Sequence, residues 1–107
     1  MINVVVDRNM WYRGKGMVES RLLRTDGQKC CIGFLAIKLG AYKEELSGCH
    51  ILDEVEVKTI LKFRDKHNEE LTEAYVANDA TNITDDVREA RLIIIGQEMN
   101  VNFSFIN

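Results

Sequence analysis

The chain has 107 residues, of which 46% are hydrophobic and 29% are charged, and its net charge is −3 at neutral pH. This composition is that of an ordinary globular protein, and it excludes a fibrous or natively disordered chain. The length suits one hydrophobic core, so we expect a single domain over residues 1–107. The apolar runs are too short for a membrane span of roughly 20 residues, which predicts no membrane partner.

Two further features of the composition bear on location and partners. The three cysteines are an odd number and no export signal is visible, so we expect free thiols and a cytoplasmic location. Charge is uneven along the chain, because residues 1–43 are net basic and residues 44–107 are net acidic. Opposed halves can steer a charged partner, associate two copies as a homo-oligomer, or attract each other within one molecule.

The N-terminal part is expected to hold two strands separated by a loop. Ile2 to Val6 is short and rich in β-branched residues, which predicts a strand. Asp7 to Gly16 mixes charges, two glycines and Trp11, a pattern typical of an irregular loop. Ser20 to Arg24 is predicted to be a second strand, ended by a tight turn at Asp26-Gly27.

A central buried helix is expected from Cys31 to Leu39. Its residues are apolar on nearly every side, and Gly40 follows as a helix C-cap would. Gly33 lowers the helix propensity of this segment by about 1 kcal/mol, so we expect its role to be close backbone packing.

Two half-buried surface helices are expected next. The first is predicted to begin at an Asp53 cap and the second at an Asn68 cap. Each has apolar residues at three- and four-residue spacing on one face, namely Val57, Ile60 and Leu61 in the first and Leu71, Ala74 and Tyr75 in the second.

The C-terminal part is predicted to form a helix followed by a strand. Thr84 is a hydroxyl cap, and the two acidic residues after it suit the first turn of a helix. The run from Leu92 to Ile95 would also suit a strand, but the cap and the spacing favour a helix from Thr84 to Met99. A last strand that can pair with the first is indicated by the alternating Val101, Phe103 and Phe105.

Together these elements predict an α+β fold. We expect a small, mostly antiparallel sheet. It would pack against the buried helix from Cys31 to Leu39 and against the C-terminal helix from Thr84 to Met99.

The segment around Trp11 is the candidate contact surface for a partner protein. It combines aromatic rings with cations, a mixture enriched at the hot spots of protein interfaces. We therefore predict a partner-binding site formed by Arg8, Trp11, Tyr12, Arg13 and Lys15. A second interpretation of Trp11 is that its side chain folds back on the core and anchors the loop. The sequence assigns no catalytic residue, no metal and no cofactor.

A thiol-dependent enzyme is the first alternative. Cys30 and Cys31 lie where a helix begins, and the helix dipole can favour a thiolate there. His50 is the candidate base for Cys31 or Cys30. Simple packing of the two thiols in the core is the preferred interpretation, because free cysteine is among the most buried residue types. Adjacent cysteines also lack the spacing of a zinc site.

A nucleic-acid-binding module is the second alternative. The basic N-terminal part includes Arg21, Arg24 and Lys29 in addition to the loop cations, and such residues can contact phosphates. The acidic character of the whole chain and the lack of an established nucleic-acid motif disfavour this function.

The sequence also resembles a group of small accessory proteins of tailed bacteriophages. The residues that carry the resemblance are the loop Trp11-Tyr12-Arg13-Gly14, the run Cys30-Cys31-Ile32-Gly33-Phe34, and the closing helix and strand that begin at Thr84. The resemblance implies a protein that binds a host protein or protein complex in the infected cell and modulates or inhibits that target. A host defence system is among the possible targets. It therefore favours a protein-binding inhibitor over an enzyme.

Overall fold

Five helices and two strands make up the fold. A computed structural model describes all 107 residues of the chain. The strands are β1 (Ile2–Asp7) and β2 (Val101–Ile106), and the helices are α1 (Cys31–Lys38), α2 (Lys43–Leu46), α3 (Lys58–Lys66), α4 (Asn68–Asp79) and α5 (Asp85–Glu98). Short 3-10 turns follow β1 at Arg8–Met10 and precede α3 at Leu52–Glu54. The fold is therefore of the predicted α+β class.

The two strands form a parallel sheet, so the predicted antiparallel arrangement is wrong. Ile2 lies opposite Val101 and Asp7 lies opposite Ile106. Parallel neighbours need a crossover connection, and here the helices between the strands supply it. Asn100, which joins α5 to β2, has a left-handed φ of 59°. The prediction that the first and last strands pair is confirmed.

The predicted strand from Ser20 to Arg24 is also wrong. Only Leu23 forms a bridge, an isolated one with Ser47, and Leu22 lies at a bend. The segment pairs with neither β1 nor β2, because its backbone hydrogen bonds go singly to Gln28, Cys30, Gly48 and Cys49. The turn at Asp26-Gly27 is confirmed, because Gly27 has a φ of 87° and its N–H bonds to the Arg24 carbonyl.

The predicted central helix is confirmed as α1, which lies at the middle of the core. It contacts β1 on one side and α4 on another, while α5 packs on β2 and on α4. Gly40 follows α1 with a φ of 103°, as expected for a glycine after a helix end. None of the helices is both long enough and apolar enough to span a membrane.

The predicted caps at Asp53 and Asn68 are wrong, although the predicted apolar faces are largely correct. Asp53 lies inside a 3-10 turn, and α3 begins later because the buried Val55 holds an extended conformation. Asn68 is the first residue of α4 and not its cap, because His67 already interrupts the helical backbone. The expected faces are buried at Ile60, Leu71 and Ala74.

The C-terminal helix and strand follow the sequence signals closely. The Thr84 hydroxyl accepts a hydrogen bond from the Val87 N–H, which confirms the cap. The run from Leu92 to Ile95 is helical, and its first and last residues are buried. In β2 the burial alternates as predicted, with Val101 and Phe103 in the core.

Gly33 is expected to be the least replaceable glycine of the core. A Cβ atom added there would lie 1.9 Å from the Leu22 carbonyl oxygen, so α1 would have to move. We expect Gly33→Ala to lower the free energy of unfolding by about 3 kcal/mol. Gly40→Ala is the control, since its added Cβ meets nothing and only the positive φ costs energy, about 1 kcal/mol. Equal losses for the two variants in urea denaturation would contradict the steric explanation.

Candidate functional site

We call residues 11–16 the Trp11 loop. A cleft of about 420 Å³ opens beside this loop, and we call it the basic cleft. It lies between this loop and the segment that joins α4 to α5. All five residues of the predicted contact site line it, together with Gly14, Gln28, Thr81, Ile83, Asp85 and Arg88. The structure thus brings the predicted residues to one place, and it adds Arg88 and Asp85 from α5.

A single buried amide, that of Asn78, holds the loop against the helices. Its Oδ1 accepts hydrogen bonds from the Trp11 indole N–H at 2.7 Å and from the Cys31 backbone N–H at 3.0 Å. Its Nδ2 donates to the Tyr12 carbonyl at 3.0 Å and to the Asp79 carboxylate at 2.9 Å. Asn78 is fully buried, so these bonds form away from water. The loop, the start of α1 and the end of α4 are therefore joined at one side chain.

Arg88 closes the opposite wall of the cleft and is itself buried. Its guanidinium donates to the Asp85 carboxylate and to four backbone carbonyls, those of Ala77, Asn78, Ala80 and Ile83. The last carbonyls of a helix have no partner within that helix, and here the guanidinium supplies it. Arg88 therefore fixes the turn between α4 and α5, and of its five N–H donors only one, on Nη2, is left without a partner in the chain.

Sequence reasoning missed Asn78 and Arg88 as supports of the site, although both leave a signal. Asn78 continues the apolar spacing of Leu71 and Ala74, and Arg88 begins the buried stripe that Leu92 and Ile95 continue. A polar residue at such a position must have a partner when it is buried. The signal indicates burial but does not identify the partner.

The two predicted aromatic contacts are buried and act as anchors. Trp11 is 3% exposed and Tyr12 is 6% exposed. The Trp11 ring lies 4.9 Å from the ring of Phe105, and the guanidinium of Arg24 lies 3.9 Å from the centre of the Tyr12 ring. These rings hold the loop in place. The other three residues of the predicted contact site, Arg8, Arg13 and Lys15, are the cations at the cleft.

The three cations differ in how far they are neutralised within the molecule. Arg8 forms a two-point ion pair with Glu89, at 2.7 and 2.8 Å. Arg13 lies over the Trp11 ring and is 3.3 Å from an Asp85 oxygen. Lys15 is exposed and its ammonium lies 5.3 Å from the Tyr12 ring centre, with no carboxylate within ion-pair distance. The positive charge of Lys15 is thus available to a ligand.

The pKa values of two carboxyl groups, those of Asp85 and Asp79, shift in opposite directions. Burial opposes ionisation of Asp85, but hydrogen bonds from Arg88 and Arg13 outweigh it and lower the pKa of this carboxyl. Burial raises the pKa of Asp79, which hydrogen bonds from Asn78 and Ser20 only partly offset. Asp85 is therefore a stable anion at the cleft and serves as the counterion of both arginines.

The thiols that the enzyme alternative requires are packed in the core. Burial raises the pKa of Cys30 to about 12 and that of Cys31 well above its usual value. His50 is exposed, and its Nδ1 lies 3.5 Å from a Glu54 oxygen. No cluster of three or more His, Cys, Asp or Glu side chains is placed to hold a metal ion. The two buried thiols are poor nucleophiles in this state, because the thiolate is the reactive form.

Comparisons with known proteins leave the cleft without an assigned ligand. No protein-family model, curated protein or solved structure matches the chain. The residues that line the cleft are therefore the basis for inferring what it binds.

Removal of the Asn78 amide is expected to destabilise the whole domain. Asn78→Ala leaves the Trp11 and Cys31 N–H groups unpaired in the core, and we expect the free energy of unfolding to fall by about 3 kcal/mol. The single tryptophan reports the same site through its fluorescence, which should shift as the loop loosens. Asn82→Ala, at an exposed position, is the control and should change little. A loss no larger than that of Asn82→Ala would contradict the role of Asn78.

The thiols are expected to react with an alkylating reagent in a fixed order. At about pH 8 the raised pKa and the burial of Cys30 and Cys31 leave almost no accessible thiolate. Cys49 is only partly buried and should react first, although burial and the nearby Glu54 raise its pKa as well. Peptide mapping by mass spectrometry measures the order, and a urea-denatured sample should label all three cysteines equally. Rapid labelling of Cys30 or Cys31 in the folded protein would revive the enzyme alternative.

Proposed function

We propose that this protein is a stoichiometric binding protein that attaches to a host protein and modulates or inhibits it. The basic cleft is the proposed contact surface. The resemblance to small accessory proteins of tailed bacteriophages supports a partner in the host cell, possible partners including a component of host defence. The chemistry of the cleft supports an acidic segment of that partner as the bound group.

The observation that carries the proposal is the pair of cations at the cleft, Lys15 and Arg13. Lys15 has no internal counterion, as described above. The pair between Arg13 and Asp85 is partly open to water, because the Asp85 side chain is 51% exposed and the Arg13 side chain is 21% exposed. An exposed ion pair of this kind contributes roughly 1 kcal/mol or less, so a carboxylate of the partner can take the place of Asp85 at small cost.

Preorganisation of the loop favours binding through these cations. The Gly14 and Gly16 N–H groups donate to carbonyls at the end of α4, and the Tyr12 N–H donates to the Lys29 carbonyl. A loop that is already ordered loses little further conformational entropy when a partner binds. Trp11 and Tyr12 therefore support binding indirectly, by fixing the positions of Arg13 and Lys15.

A protein partner fits the charges better than a nucleic acid does. A nucleic-acid site usually presents a continuous positive track along the phosphate backbone. In the basic cleft Glu89 already neutralises Arg8, so Arg13 and Lys15 are the cations that remain for a ligand. The remaining positive charge is local and suits one acidic segment.

Charge reversal at Lys15 is expected to abolish most of the binding. Lys15→Glu leaves the fold intact, because this side chain is exposed and outside the ion pairs, and it should weaken partner binding by about tenfold or more. The experiment compares what wild type and variant retain from host-cell lysate at about 50 and about 200 mM salt, using mass spectrometry and nuclease treatment.

The matched control is Lys62→Glu, which reverses an exposed lysine on α3, away from the cleft. It should retain the same host protein as wild type at both salt concentrations. Equal retention by Lys15→Glu would contradict the cleft as the contact surface. Retention that disappears with nuclease treatment would replace the protein partner with a nucleic acid.

A further inference from the structure

A second exposed surface, on the outer side of α5, combines an apolar residue with two unpaired charges. Arg91, Ile94 and Glu98 are spaced by three and four residues, which places them along one stripe of the helix. Arg91 and Glu98 are exposed, and 58% of Ile94 is open to water. Neither charged residue forms an ion pair within the chain. We call this set the α5 stripe.

The α5 stripe borders a groove of about 410 Å³ between α4 and α5. Val76 of α4 lines the groove beside Ile94, and it is 66% exposed. Val76 also lines a neighbouring groove that includes Met17, which is 74% exposed. The exposed apolar surface thus continues from α5 across α4 to the loop before α1. Contiguous apolar surface of this kind, with charges at its edge, is typical of interaction sites.

The order of the charges on the stripe is self-complementary. Arg91 and Glu98 are about 10 Å apart along the helix axis, and Ile94 and Ile95 lie midway between them. A two-fold rotation about an axis through this midpoint makes two copies of α5 antiparallel. It places Arg91 of each copy opposite Glu98 of the other and brings the two Ile94 side chains together.

We propose that a second copy of this chain docks on the α5 stripe and forms a two-fold symmetric dimer. The interface is isologous, since the same patch serves both copies, as in most homodimers. The charge order is the reason to choose a second copy over another partner. After a two-fold rotation the stripe matches itself, with each charge opposite one of the other sign. Ile94 and Val76 supply the apolar centre, and the two Arg91–Glu98 pairs fix the antiparallel direction.

The α5 stripe and the basic cleft are formed by different residues. None of the three stripe residues lines that cleft. One dimer therefore carries two basic clefts, and a partner with repeated acidic segments would bind to both at once with higher avidity. The dimer does not depend on the proposed function of the cleft, and it can be tested alone.

Charge reversal on the stripe tests both the dimer and its geometry. Arg91→Glu places two carboxylates opposite each other across the interface, and Glu98→Arg places two guanidinium groups opposite each other, so each variant should dissociate at about tenfold or more higher concentration. An equimolar mixture of the two variants places a carboxylate opposite a guanidinium at both ends of the interface, and it should form a heterodimer. The measurement is sedimentation velocity over a series of concentrations, with circular dichroism to verify the fold.

Two further variants complete the experiment. Ile94→Lys should favour the monomer, while Val5→Lys, at a position of β1 that is 53% exposed and outside both grooves, should leave the dimer unchanged. A wild-type protein that stays monomeric at every concentration would overturn the proposal. So would a wild-type dimer whose association is unaffected by the single charge reversals, or variants that fail to associate with each other when mixed.

Discussion

The requirement that a buried amide satisfy its hydrogen bonds organises the structure around Asn78. Its Oδ1 accepts hydrogen bonds from the Trp11 indole and from the backbone N–H at the start of α1. Its Nδ2 donates to the Tyr12 carbonyl and to the Asp79 carboxylate. An unpaired polar group in this environment costs roughly 1–3 kcal/mol, so the four partners favour one arrangement. The Trp11 loop is consequently held in one conformation, although it has almost no regular secondary structure of its own.

Arg88 extends this constraint to the basic cleft. Its guanidinium binds the carbonyls at the end of α4, and it also lies against the loop at Gly14. Gly14 has a φ of 73°, and a Cβ atom there would approach the Arg88 Nη2 to 2.8 Å. The glycine is thus required both for its backbone conformation and for the space that the guanidinium occupies. The cleft is the surface left between a fixed loop and a fixed helical turn.

Local signals in the sequence predicted the parts of the fold that depend on local physics. The Thr84 cap, the glycine after α1 and the alternation in β2 each arise from neighbouring residues, and the structure contains all three. The strand direction was not predictable in this way, because it depends on how the helices between the two strands pack and return the chain to β1. The supports of the cleft also depend on distant partners, since Trp11 and Asn78 are 67 positions apart.

Part of the uneven charge along the sequence is neutralised within the molecule. Arg8 and Arg13, from the basic part of the chain, pair with Glu89 and Asp85 from the acidic part, which corresponds to attraction between the two halves. Most charges that remain unpaired are ordinary solvated groups and need no function. Lys15 differs from these because it lines an ordered cleft. Arg91 and Glu98 differ because they flank an exposed isoleucine on one helix. In both places the charge can bind a partner specifically because the surface around it is fixed.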